Sequence, residues 1–88
     1  SPIDRKNSLV LSKSLKFVID HFDEYTLEKL EEEAKAYYKN IDGVELDYFT
    51  IANGKTLEPA KTKGEEDLVA LVAAKVGSTR LIDNMIIK

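Results

Sequence analysis

One histidine, His21, stands between Asp20 and Asp23 and is the first candidate for chemistry in this chain. An imidazole could serve as a general base, but no serine, cysteine or carboxylate constellation converges on it in sequence, and a base needs partners in named roles. Near a helix C-terminus an imidazolium is mildly favoured by the helix dipole, so a surface histidine is the plainer reading. Glu31-Glu32-Glu33 supplies three carboxylates. Consecutive helical residues point in different directions and cannot chelate one cation together, and no calcium-loop spacing accompanies them, so the run reads as a solvated helix face. Lys55, Lys61 and Lys63 could meet a phosphate. The isolated glycines Gly43, Gly54, Gly64 and Gly77 build no glycine-rich phosphate loop, which leaves a solvated loop as the simpler account. Arg80, Asp83 and Asn84 interrupt an otherwise apolar stretch. Arg80 and Asp83 fall on opposite faces of an ideal strand, so an ion pair between them would need a bulge. A structural role at a wet sheet edge is the default for these residues, and contact with a partner or ligand is the alternative.

Composition narrows the field further. The chain has no cysteine and a single histidine, which excludes a disulfide framework, a Cys-based zinc site and a multi-histidine metal site. The net charge of −3, from 13 basic and 16 acidic residues, argues against a general nucleic-acid binder. The tyrosines and phenylalanines form no base-stacking stripe with interleaved basic residues. The longest apolar run, residues 68–74, is far short of the roughly 20 residues needed to cross a bilayer. No apolar leader is visible, and a cytoplasmic location without membrane or nucleic-acid partners is expected. At 88 residues, 43% hydrophobic and 33% charged, the chain reads as one small globular domain.

The elements follow from periodicity. Ser1 as N-cap, Pro2 at the first helical position and Asp4 in the first turn open a helix over about 2–22, whose apolar stripe is Leu11, Leu15, Val18 and Phe22. Thr26 caps a second helix over about 27–40, with Leu27, Leu30, Ala34, Tyr37, Tyr38 and Ile41 on its apolar side. Glu31 and Lys35 form a favourable pair worth about 0.2–0.5 kcal/mol. Gly43 supplies the left-handed stop. From Val44 the period changes to two. Val44, Leu46 and Tyr48 alternate with Glu45 and Asp47 in a strand over about 44–51, and Phe49 and Ile51 break that alternation. Asn53-Gly54 marks a turn. A polar connection over 53–66 follows, in which Leu57 and Pro59 are expected to anchor the loop. Residues 67–76 and 79–87 read as two further strands joined by a hairpin at Gly77-Ser78, and the first strand can lie beside either one.

The fold class is therefore α+β, with two N-terminal helices packed on one face of a small three-stranded, mainly antiparallel sheet. Two helices cover one face. Residues 68–74 are apolar on both, so surface is left over that usually marks contact with another domain or chain. The competing account is that Ala70, Ala73 and Ala74 leave the outer face only mildly apolar and that the long loop folds across it.

Four segments carry a family resemblance: Val44-Glu45-Leu46-Asp47-Tyr48-Phe49, Thr56-Leu57-Glu58-Pro59, residues 68–74, and Gly77-Ser78-Thr79-Arg80-Leu81-Ile82-Asp83-Asn84. In order and approximate spacing they resemble the C-terminal domain of the pantoate–β-alanine ligase (pantothenate synthetase) family, the last segment being the most specific. Ser1-Pro2 with Arg5 is similar to the helix start that follows the family's Ser-Ser-Arg-Asn nucleotide segment. The resemblance implies that residues 1–88 are a lid domain, and that the N-terminal nucleotide-binding catalytic domain lies outside this chain. It implies an enzyme using ATP and Mg2+ to join pantoate to β-alanine through a pantoyl adenylate, with homodimer contacts in that other domain. It assigns no catalytic, cofactor-binding or metal residue to this chain, and so implies a fragment inactive alone. A free-standing protein-interaction module is the second reading. A nucleotide-binding regulatory domain using Lys61, Lys63 and Arg80 is a weaker third.

Overall fold

The computed structural model describes residues 2–88, with side chains from residue 6 onward. The Ser1 cap and the Asp4 side chain lie outside the described residues. The order is α1 (Pro2–His21), α2 (Leu27–Ala36), β1 (Val44–Asn53), β2 (Leu68–Val76) and β3 (Thr79–Ile86). The three strands form an antiparallel meander in the order β1-β2-β3, which settles the position of the first strand. Val76 pairs with Thr79 across the two-residue turn Gly77-Ser78, with Gly77 at φ 62°. Both helices pack against one face of this sheet, α1 over β2 and β3 and α2 over β1.

α1 buries Leu11, Leu15 and Val18, together with Val10 and Ser14. Thr26 caps α2 by accepting from the Lys29 amide at 3.2 Å. The α-helical hydrogen bonding of α2 ends at Ala36. Tyr37, Tyr38 and Lys39 then bond three residues back, a tightening common at helix ends. Asn40 turns left-handed at φ 62° before Gly43 does so at 85°. Even so, Leu30, Ala34 and Tyr38 stay on one buried side.

β1 departs from simple alternation. Leu46 pairs with Ala74 and Tyr48 with Ala73, so Asp47 is an extra residue and the register shifts there. A β-bulge of this kind reverses side-chain parity. Val44, Leu46, Phe49 and Ile51 thereby share the helix-facing side with Ala70, Val72, Ala74 and Val76. Tyr48, expected alongside Val44 and Leu46, is turned to the other face and is exposed. Phe49, Leu15, Leu30, Ile51 and Val72 fill the centre of the core, each contributing about 1.5–3 kcal/mol through burial.

Ser14 is the buried polar side chain among the described residues. Its hydroxyl donates to the Leu11 carbonyl at 2.9 Å. The Tyr38 hydroxyl, 2.6 Å away, therefore donates to the Ser14 oxygen and ties α2's end to α1. Burial holds the Tyr38 phenol above its ordinary value, with Asp83 adding to the effect. Ser14→Ala strands the Tyr38 hydroxyl and is expected to cost about 1–3 kcal/mol, whereas Tyr38→Phe, which leaves Ser14 its carbonyl, costs about 0.5–1.5 kcal/mol. A raised phenol pKa stabilises the native state fully below the unfolded value of about 10, and that contribution is lost as pH rises through the folded value. Urea titrations across alkaline pH are expected to show this decline in the parent and a smaller one in Tyr38→Phe.

Candidate functional site

The sheet face turned away from the helices carries the most unusual surface of the molecule. Cross-strand register sets four rows on it: Glu45–Lys75–Arg80, Tyr48–Ala73–Ile82, Thr50–Leu71–Asn84 and Ala52–Val69–Ile86. Ile82 is 63% and Ile86 75% exposed, and Tyr48 is 41% exposed. Ala73 is nevertheless buried, between the larger Tyr48 and Ile82 on either side. No element among the described residues lies across these rows. Apolar groups gathered on one open face, as opposed to scattered singly, are the mark of an interaction surface.

The long connection borders one end of that face, where Ala52 and Val69 are buried and Leu57 shares a groove with Val69, Leu71 and Ile86. Residues 58–60 run back along the free margin of β1: Asn53 N donates to Glu58 O at 2.9 Å, Ala60 N to Ile51 O at 2.9 Å, and Ala52 bridges Pro59. Glu65 fastens the loop, accepting from the amides of Lys61 (2.6 Å) and Thr62 (2.9 Å) and from Asn53 Nδ2 (3.0 Å). Gly54 permits the close pass where the loop leaves β1, since a Cβ there would sit 3.0 Å from Asp67 Cβ. Leu57, expected to anchor the loop inward, instead points outward and is 61% exposed.

The residues singled out for chemistry do not converge. His21 Nδ1 lies 2.8 Å from Glu24 Oε2 at the surface, and its ring packs near Phe17 and Tyr25. Glu31 is not a solvated residue: its Oε2 accepts from the Ile51 amide at 3.2 Å, joining α2 to β1. The ion pair on α2 is Lys29–Glu33 at 3.0 Å, in place of the expected Glu31–Lys35. Sequence spacing could not reveal that Glu31's partner is a backbone amide 20 residues away. Lys55 pairs with Asp67 at 3.5 Å and Glu66 at 3.8 Å. Lys63 donates to the Phe22 carbonyl and lies over the Phe22 ring. Lys61 and Lys63 border an open groove shared with Glu24 and Glu28, whose charge opposes an anion.

Arg80 meets Asp47 at 2.9 Å, so the bulged residue, and not Asp83, is its partner. Asp83 accepts from the amide of its neighbour Asn84 at 2.8 Å. Arg80 pairs beside Lys75, while the lysine loop joins β2 at Leu68. These ends are roughly 20 Å apart along the strand, so Lys61, Lys63 and Arg80 do not form one nucleotide site. Among the described residues no group of three or more His, Asp or Glu side chains is placed to hold a metal ion. No helix among them is long and apolar enough to cross a membrane.

Comparison with known proteins identifies the fold and its kin. Residues 1–86 match the family model described as pantoate-beta-alanine ligase. The chain is similar to the pantothenate synthetase of Thermotoga petrophila, with 38% identity over 99% of this chain and 31% of that protein. It is 40% identical to that of Helicobacter pylori over 92% of this chain and 29% of the relative. The crystal structure of pantothenate synthetase from Thermus thermophilus superposes with a TM-score of 0.88 at 23% identity, covering 99% of this chain and 32% of the other, which shows the shared fold. The chain spans about 30% of the length of the curated relatives that it matches.

Two outcomes test the site's construction. Ile86→Ser is expected to change the stability of the 88-residue chain by no more than about 0.5 kcal/mol, as for surface substitutions generally. Ile51→Ala on the covered face should cost about 2–5 kcal/mol in the same urea titration. The second outcome concerns Glu65, whose hydrogen bonds from Thr62, Asn53 and Lys61 hold its carboxyl below the ordinary value. A lowered pKa favours the ordered loop above the unfolded value, and that order is lost as pH falls through the folded one. Protection of the Lys61 and Thr62 amides from exchange, relative to the intrinsic rate at each pH, should fall across that acid range, and Glu65→Gln should show the low protection already at neutral pH.

Proposed function

The chain belongs to the pantoate–β-alanine ligase family, and from that premise we propose that it is the C-terminal lid of a ligase that makes pantothenate. The longer protein condenses pantoate with β-alanine at the expense of ATP. In the first half, pantoate carboxylate oxygen attacks the α-phosphorus of ATP, giving pantoyl adenylate and diphosphate. In the second, the β-alanine amine attacks the acyl carbon and AMP leaves. ATP, Mg2+, both acids and the homodimer contact are assigned to the remaining part of that protein, in the cytoplasm. Residues 1–88 supply no catalytic group.

The observation that supports this reading is the uncovered apolar face bearing Tyr48, Ile82 and Ile86, in a chain that corresponds to about 30% of its relatives' length. Seated on the body of the longer protein, such a face would be removed from water. The lid's chemical contribution is exclusion: an acyl adenylate is a mixed anhydride, and a covered cleft keeps water from it while strengthening charge contacts to phosphate.

The test replaces the matching third of the Thermotoga petrophila relative with this chain. The 88-residue chain alone is expected to form no pantothenate from pantoate, β-alanine, ATP and Mg2+, and the chimera is expected to form it. Turnover by the purified chain alone, or a folded chimera without turnover, would overturn the reading in favour of a self-sufficient enzyme or an unrelated interaction module.

A further inference from the structure

We infer that Leu57 is a docking anchor, an apolar side chain held outward by its turn to enter an apolar socket on the remainder of the longer protein. The inference rests on the lid reading and adds the residue that fixes how the lid seats. Leu57 is 61% exposed and has φ 62°, in a region that branched L side chains rarely occupy. The turn holding it there is over-determined. Asn53 Oδ1 accepts from the amides of Lys55 (2.8 Å) and Thr56 (3.1 Å), Asn53 O accepts from the Leu57 amide (2.8 Å), and Thr56 Oγ1 accepts from the Glu58 amide (3.2 Å). Glycine would take this backbone without strain, and a polar residue would suit the exposure. A leucine meets neither local demand. Strain kept by surrounding bonds is often found at functional positions.

Position supplies the second argument. Leu57 lines one groove, of about 480 Å3, with Val69, Leu71 and Ile86, so it extends the open sheet face at one corner. The cations on that rim are already engaged, Lys55 by Asp67 and Lys88 by the Lys63 carbonyl. Lys88 keeps its charge but has its ammonium on that carbonyl, and the groove's middle is Leu57, Leu68, Val69, Leu71 and Ile86, so the occupant it fits best is apolar. The remaining two thirds of length carried by the relatives provides that occupant on the same polypeptide, where no association entropy has to be met at each encounter.

The test uses the Thermotoga petrophila chimera and the 88-residue chain side by side. Hydroxyl-radical labelling read by mass spectrometry is expected to modify Leu57 freely in the chain and several-fold less in the chimera. Leu57→Gly is expected to leave the melting midpoint of the chain unchanged or raise it, by up to about 4–8 °C if roughly 1 kcal/mol of backbone strain is relieved, and to lower the midpoint of the chimera. Equal labelling in both proteins overturns the inference. So does a midpoint that falls alike in both, which would make Leu57 a loop-packing residue, or protection that appears in the chain alone as its concentration rises, which would make a second copy the occupant. Pantothenate formation is read separately: an active chimera with Leu57 freely labelled sinks the anchor and leaves the lid reading intact, and an inactive chimera with Leu57 protected does the reverse.

Discussion

A sheet of three strands with two helices has one side that can be sheltered, and the extra residue at Asp47 decides which side chains of β1 occupy it. Before the bulge, Val44 and Leu46 face the helices. After it, Phe49 and Ile51 do, although the spacing between the two pairs is odd. A regular strand would have placed one pair or the other in water. The bulge lets a single strand present four large apolar groups to the core, and it moves Tyr48 to the far face. It also frees the Asp47 carboxylate to reach Arg80 across the sheet. Core composition, the apolar character of the open face and the pairing of its one arginine all derive from that inserted residue.

The margins of the sheet are treated unequally. At the end of β1, Glu31 from α2 accepts the Ile51 amide and residues 58–60 engage Ile51 and Asn53, so the free backbone groups of those two residues are met from two directions. β3 has no strand on its far side, and its local protection includes Asp83 accepting from the Asn84 amide. Unpaired strand margins invite foreign strands, and inward-turned acids are one way to blunt them.

The larger features were legible in the sequence because they rest on periodicity. The stripe Leu11, Leu15 and Val18 announces α1, and Gly77-Ser78 announces the hairpin, each through a local rule. Counting also predicted bare surface on residues 68–74, since two helices cannot cover both sides. There the structure differs, because those residues are buried on both faces except for a partly exposed Leu71, and the open apolar groups are Tyr48, Ile82 and Ile86 on the flanking strands. What escaped were contacts between residues distant in sequence. Glu31 resembles any exposed helix glutamate until β1 is laid beside it. Alternation put Arg80 and Asp83 on opposite faces, but the arginine's actual partner, Asp47, depends on a bulge that alternation alone does not locate. Leu57 read as an inward anchor because it is apolar, and its outward direction is set by a left-handed backbone angle that no propensity assigns to leucine. The closing strand's motif, Gly-x-Thr-Arg-Leu-Ile-Asp-Asn, carried the family likeness that physical pattern could not supply.

One margin latched at its end and the other bare makes β3 the easier side for the sheet to grow. Two molecules joining β3 to β3 about a twofold axis would make a continuous six-stranded layer with β1 at both outer limits. There the latch formed by Glu31 and residues 58–60 occupies the backbone groups of Ile51 and Asn53, so a third member pairing along the whole strand would first have to displace it.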